Sequence, residues 1–215
     1  MSGSNGEGLA KAIERLQRER AVLLGKIDAL QQAQIDFRPS RHSWSIGQIA
    51  HHVAMGEQVW HGYLKTALKT AGQTKEATVK VTIEDVPFSS RIIPDFILRN
   101  SLFLTPISMM VNLVPQPVQS MLFAVPLFKM DAGPRMQPRH GLLRVHLLQI
   151  LNDTRRETLA TLEPLAGLDL SRIRIVHPLV GDQDVLGILE LLSSHEQRHA
   201  QQIETIRKNP NFPKR

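Results

Sequence analysis

Apolar residues recur at three- and four-residue steps along several segments of the chain, which is the pattern of amphipathic helices. The first segment spans residues 9–30, and Arg20 is the one polar residue that interrupts its apolar stripe. A second segment begins at Ser45, because Ser45 and Gln48 have the spacing of a capping box, and its stripe continues to Leu68. These patterns predict two long helices in the first third of the chain.

The same periodicity returns in residues 142–162 and again from about residue 184 to residue 208. Between the second and third helical segments, residues 71 to about 139 are irregular, although residues 78–86 are rich in β-branched side chains and predict a short extended piece. Four long helices without a convincing strand pattern predict an all-α fold, an up-down four-helix bundle with a long irregular insertion between helices 2 and 3.

The length of 215 residues fits one domain, predicted over residues 9–208, with a flexible N-terminus at residues 1–8 and a tail at residues 209–215. No apolar signal-peptide core precedes the first helix, which favours a cytoplasmic location. Residues 100–128 carry no charge, but prolines and polar side chains interrupt them too often for a spanning helix. We therefore expect no stable membrane insertion.

The composition excludes cysteine-based sites and makes nucleic-acid binding an unfavourable interpretation. The chain has no cysteine, so disulfides, thiolate metal ligands and a cysteine nucleophile are excluded. A net charge of +6 and a pI near 10.0 are compatible with nucleic-acid binding. However, the basic residues are dispersed among acids, and the aromatic fraction of 5% offers no stacking platforms. We expect a small-molecule substrate and no nucleic acid.

Histidines supply the candidate site. His195 and His199 are four residues apart in the last predicted helix, so their side chains lie on one face. A third imidazole from the upstream pair His51 and His52 would complete a three-nitrogen site with an open position, as in catalytic metal centres. The alternative is that His195 and His199 are partly exposed helix residues that bind no metal.

The segment from His195 to His199 also matches the H-E-x-x-H signature of zinc metalloproteases, in which Glu196 would be the general base. Little chain follows the motif, no Gly-x-x-His extends it, and no strand pattern is present to hold a peptide. The protease interpretation is therefore disfavoured.

Two segments together resemble the DinB-like (DinB/YfiT) superfamily of four-helix-bundle metalloproteins. Residues 44–53 resemble the family's Trp-Ser stretch, which leads into a helix with a ligand histidine eight residues after the tryptophan, and this register selects His52. Residues 177–181 and the helix that follows resemble the family's closing segment, where His195 and His199 match the other two ligands. With the helix order, the resemblance covers roughly residues 9–208.

The resemblance implies that three histidines bind nickel, zinc or a similar divalent ion, usually in a homodimer. It also implies chemistry with low-molecular-weight thiols such as bacillithiol and mycothiol. We therefore expect a metal-dependent enzyme that activates a small thiol for transfer to an electrophilic small molecule. A hydrolase that generates hydroxide with the same ion, and a non-enzymatic dimeric protein that binds an apolar ligand, are the alternatives. Gln48, Glu196 and Gln202 are candidates to orient the ligands or a bound water.

Overall fold

The computed structural model describes residues 2–81, 89–90, 130–131, 136–177 and 181–214. This part of the chain is mainly helical, and the four predicted helical segments are confirmed. Its helices are α1 (Ser2–Ile27), α2 (Gln32–Asp36), α3 (Ile46–Thr74), α4 (Arg144–Leu162) and α5 (Val185–Arg207), and two 3₁₀ segments cover Glu163–Gly167 and Leu170–Arg172. Its strands are β1 (Ala77–Lys80), β2 (Ser89–Ser90), β3 (Met130–Asp131), β4 (Ile173–His177) and β5 (Gly181–Asp184).

Local chemistry sets the helix ends. Ser45 caps α3, because its side chain accepts a hydrogen bond from the Gln48 backbone N–H while the Gln48 amide oxygen accepts one from the Ser45 N–H. At the other end Lys75 adopts a left-handed conformation with φ of 61° and donates its N–H to the Ala71 carbonyl. Asp184 caps α5 through the Gly187 N–H, at 2.8 Å. The predicted capping box is therefore confirmed.

The expectation of an all-α fold is confirmed only in part: the described residues are mainly helical, but they also form a small mixed sheet. Strand β4 pairs in parallel with β1 and antiparallel with β5, in the order β1–β4–β5. Side chains of β4 alternate between buried and half-buried, as in a strand with one face on the core. The segment is only five residues long and its partner β1 lies far away in sequence, so period-2 alternation gave too weak a signal. The short strands β2 and β3 also pair.

Helix α1 begins at Ser2, seven residues before the predicted start at residue 9. Apolar periodicity cannot detect such an extension, because residues 2–8 are polar or glycine. At the other end, the predicted tail packs on the helices: the Phe212 ring meets Phe37 edge to face at 5.5 Å, and the Pro213 carbonyl accepts a hydrogen bond from Gln34.

The buried core divides into two apolar clusters along the long helices. The first apolar cluster contains Leu16, Leu64, Leu162, Ile173, Ile175 and Leu189. The second apolar cluster contains Leu23, Ile49, Val53, Leu147, Leu151 and Ile203. Along the chain, α1 and α5 pass from the first cluster to the second, whereas α3 and α4 pass from the second to the first.

The long helices therefore run up, down, down, up, and the predicted alternating up-down order is corrected. Because α3 and α4 have the same direction, their connection must return along the length of a 29-residue helix, about 44 Å at the usual rise per residue. Such a return requires at least about 13 extended residues, so the two helices cannot be joined by a short turn. No helix of the described ranges is long and apolar enough to cross a membrane. The uncharged residues 100–128 lie outside those ranges.

Candidate metal centre

His52 comes to the centre from the second turn of α3. The capping box at Ser45 fixes where this helix starts, and Trp44 packs against the buried His52 ring with 4.8 Å between ring centroids. The neighbouring His51 takes another direction and accepts a hydrogen bond from the backbone N–H of Arg139 at 2.9 Å. The structure thus brings His52, and not His51, to the two histidines of α5.

His195 and His199 project from one face of α5 toward His52, as their spacing predicts. The Nε2 atom of His195 lies 3.3 Å from that of His52 and 3.1 Å from that of His199. One nitrogen from each ring can be chosen so that all three lie within 4.8 Å of one another. Gly56 makes room for this arrangement, because a Cβ at that position would lie 3.2 Å from the Cε1 atom of His195. The three imidazoles therefore form a compact group able to hold one metal ion.

Hydrogen bonds at the Nδ1 atoms of His52 and His199 set the tautomers of these two rings. The Nδ1 atom of His52 lies 3.3 Å from the Met136 carbonyl oxygen, and that of His199 lies 2.9 Å from the Gln202 amide oxygen. Both partners only accept hydrogen bonds, so each Nδ1 carries the proton and each Nε2 presents a lone pair to the centre. The Nε2 of His195 can donate a proton to only one of these lone pairs. A cation among the three nitrogens satisfies them all, so the donor set fits a metal ion.

Burial keeps the three rings neutral. The pKa of His52 is lowered to about 4, mainly by desolvation and to a smaller extent by the positive charge of Arg198, against the opposing effect of the Met136 carbonyl. Desolvation is also the main cause that places the pKa values of His195 and His199 well below the ordinary value. Neutral imidazole is the form that binds metal, so protons do not compete for these nitrogens near pH 7.

Of the three residues predicted to support the ligands, Gln202 contacts a ligand ring, whereas Gln48 and Glu196 bond other groups. Gln202 hydrogen-bonds His199 directly. The side chain of Gln48 instead bonds the Ser45 backbone and, at 3.5 Å, the carbonyl of Pro138. Gln48 thus contacts the same short segment that supplies the Met136 carbonyl. Sequence reasoning missed Met136, because a backbone acceptor 84 residues from His52 leaves no signature in the sequence.

Glu196 points away from the histidines, into a buried ion-pair core formed with Arg20, Glu57 and Arg155. One residue comes from each long helix, and their side chains are between 2% and 7% exposed. Arg155 contacts Glu57 at 2.8 Å and Glu196 at 2.7 Å, and Arg20 bonds both carboxylates. Burial alone would raise the pKa of Glu57, but the hydrogen bonds and charges of Arg155 and Arg20 hold it below its usual range. Both oxygens of Glu196 are committed to arginines, so it cannot be the general base of a metalloprotease.

The ion-pair core had a signal in the sequence. Each of its residues occupies a position of an apolar stripe: Arg20 lies between Leu16 and Leu23, and Arg155 lies four residues after Leu151. Two positive and two negative charges at core positions of four helices indicate mutual neutralisation.

Comparison with known proteins agrees with this geometry. Residues 15–203 match the sequence profile of the DinB superfamily, a range that includes the three clustered histidines and all four residues of the ion-pair core. Neither curated proteins nor solved structures give a significant match. Because the matched range is most of the chain, the resemblance is confirmed, and the protein belongs to the DinB superfamily.

Proposed function

We propose that this protein is a metal-dependent enzyme in which His52, His195 and His199 hold one divalent ion, zinc or nickel. The observation that carries the proposal is the group of three neutral imidazoles whose Nε2 atoms face one another. Imidazole suits both metals, and three protein ligands leave a position open for a small molecule. The hydrogen bonds from His52 to Met136 and from His199 to Gln202 orient two of the three rings.

The proposed reaction is the activation of a low-molecular-weight thiol and its transfer to an electrophilic small molecule. A divalent ion supplies Lewis acidity, which lowers the pKa of a thiol or a water molecule at the site. The two identified ring partners, a carbonyl and an amide, are uncharged, so they do not reduce the positive charge at the centre. The chain has no cysteine, so the sulfur must come from the substrate. Membership of the DinB superfamily and the resemblance to thiol-using relatives support this choice.

The bundle and the homodimer in the proposal rest on the helix pattern and on the family resemblance. We propose that the long helices form a four-helix bundle, that the protein is a homodimer, and that it acts in the cytoplasm, where small thiols are kept reduced.

The proposal is tested by turnover of purified protein loaded with zinc or nickel, with cellular thiols and a panel of electrophiles. We expect thiol-dependent product that is abolished in His52→Ala and retained in His51→Ala, the matched control at the adjacent position. Lack of thiol-dependent product from loaded wild type would refute thiol transfer. Cleavage of activated esters without thiol would instead favour a hydrolase, and a co-purifying apolar ligand without turnover would favour a binding protein.

A further inference from the structure

Arg198 is a half-buried cation beside the three histidines. It precedes His199 on α5, and at 3.6 residues per turn its side chain leaves the helix about 60° around the axis from that of His195. Its guanidinium makes no hydrogen bond or ion pair with any residue in the described ranges. Arg20 and Arg155, by contrast, each contact two carboxylates.

The pKa values of Arg198 and Arg155 differ in the same way as their contacts. Desolvation lowers the pKa of Arg198, whereas the carboxylates of Glu57 and Glu196 outweigh desolvation and raise that of Arg155. The charge of Arg198 also lowers the pKa of His52, His195 and His199, so it acts on all three rings.

Among the described residues, Arg198 therefore leaves an unbalanced positive charge beside the centre. The buried acids nearest in sequence to the ligands, Glu57 and Glu196, are already neutralised within the ion-pair core. A divalent ion on three neutral imidazoles would add two further positive charges close to Arg198. A desolvated guanidinium without a counter-ion costs free energy, which an anionic ligand recovers.

We propose that Arg198 binds a carboxylate of the substrate, so that the site selects carboxylate-bearing small molecules. The planar guanidinium matches a carboxylate in a bidentate geometry, and one carboxylate balances its single positive charge. The inference rests on the proposed function for the metal ion but is independent of the thiol chemistry. Arg198 is thus a residue that determines specificity.

The test uses full-length protein loaded with Co²⁺, whose visible spectrum reports small ligands that reach the ion. Two probe pairs differ by one anionic carboxylate: thioglycolate against 2-mercaptoethanol, and malonate against acetate. Each is titrated into wild type, Arg198→Gln, Arg198→Lys and Arg207→Gln, the last being an exposed arginine on the same helix. Cobalt content is measured before and after each titration, to confirm that the probes do not remove the ion.

In wild type we expect the carboxylate-bearing member of each pair to bind about 10- to 100-fold more tightly, the usual range for a charge-assisted hydrogen bond. Arg198→Gln should abolish the preference, with a smaller loss of affinity for 2-mercaptoethanol, because its thiolate also loses a nearby positive charge. Arg198→Lys should keep part of the preference, because it retains charge without the planar fork. Arg207→Gln should match wild type.

Equal affinities within both pairs in wild type, or an unchanged preference in Arg198→Gln, would overturn the inference. If no thiol alters the spectrum, the thiol-transfer proposal fails and malonate against acetate alone decides the role of Arg198. Failure of wild type to bind Co²⁺ would reject the metal centre and, with it, this role of Arg198.

Discussion

The histidine centre (His52, His195 and His199) and the ion-pair core meet on α5, where His195 and Glu196 are adjacent. Their buried polar groups are nevertheless satisfied in opposite ways. In the ion-pair core, Arg20 and Arg155 each meet both carboxylates, and the charges neutralise one another. In the histidine centre, nitrogen lone pairs face one another and no carboxylate contacts them in the described ranges. Buried polar groups that all find partners within the protein hold its helices together. Buried polar groups that lack such partners require a ligand. Four experiments separate these two roles.

The largest expected effect is the loss of metal when one ligand is removed. His52→Ala should reduce metal affinity by more than about 100-fold, because loss of a group that merely supports a ligand already costs 10- to 100-fold. Metal content by mass spectrometry should fall from near one equivalent, and His51→Ala should keep it. Equal metal content in wild type and His52→Ala would show that the ion binds elsewhere.

The second effect concerns stability. Glu57→Gln should lower the free energy of unfolding by about 3–5 kcal/mol, because it leaves buried arginines without their counter-charge. Urea unfolding of the metal-free protein measures this loss, and Glu157→Gln, on the exposed side of α4, should change it by less than about 0.5 kcal/mol. Similar effects of the two substitutions would mean that the ion-pair core does not hold the helices together.

The third effect is the pH dependence of stability, which differs between the histidine centre and the ion-pair core. The pKa of His52 is about 4 in the folded protein, so between pH 6.5 and 4 the unfolded chain takes up a proton that the folded chain refuses. Stability should therefore fall by up to about 1.4 kcal/mol per pH unit for this residue as the pH is lowered. The pKa of Glu57 is also lowered, so its stabilising contribution is lost only at more acidic pH, below its ordinary range.

Unfolding of metal-free protein at a series of pH values measures this slope. His52→Gln should reduce the slope in the upper window by the contribution of one histidine, because the pKa values of His195 and His199 are lowered as well, and it should leave the acidic limb unchanged. A slope identical to that of wild type would show that His52 is not the titrating group.

The smallest effect belongs to Gln202, which supports His199 from an exposed position. Gln202→Leu should weaken metal binding by about 10-fold, the lower end for a residue that orients a ligand, because water can replace the lost acceptor. Competition with a chromophoric chelator measures the change, and Gln201→Leu, at the exposed neighbouring position, is the control. A loss as large as that in His52→Ala would contradict a supporting role.

The sequence was sufficient to predict the long helices and the meeting of three distant histidines. Helix positions follow from apolar periodicity and the cap at Ser45, both of which are local. The choice of His52 over His51 came from the family resemblance, and the structure gives its physical basis: the two side chains leave α3 in different directions, one toward His195 and one toward Arg139.

Other features depend on contacts between distant segments. Strand β4 pairs with β1 across roughly a hundred residues, and the Met136 carbonyl contacts His52 from 84 residues away in the sequence. Neither contact has a periodicity that could reveal it. The ion-pair core differs, because Arg20 interrupts the apolar stripe of α1. Glu57, Arg155 and Glu196 also occupy apolar-stripe positions of their helices, so the four charges could have been paired from the sequence.

The sequence separation of the ligands has a consequence for biosynthesis. His52 and His195 are 143 residues apart, so the centre cannot assemble until α5 has left the ribosome and packed against α3. An ion that arrives earlier meets only one of its three ligands, and closing so long a loop is entropically costly before the helices are in place. Metal capture should thus be a late, post-translational event that stabilises the finished fold instead of guiding its formation.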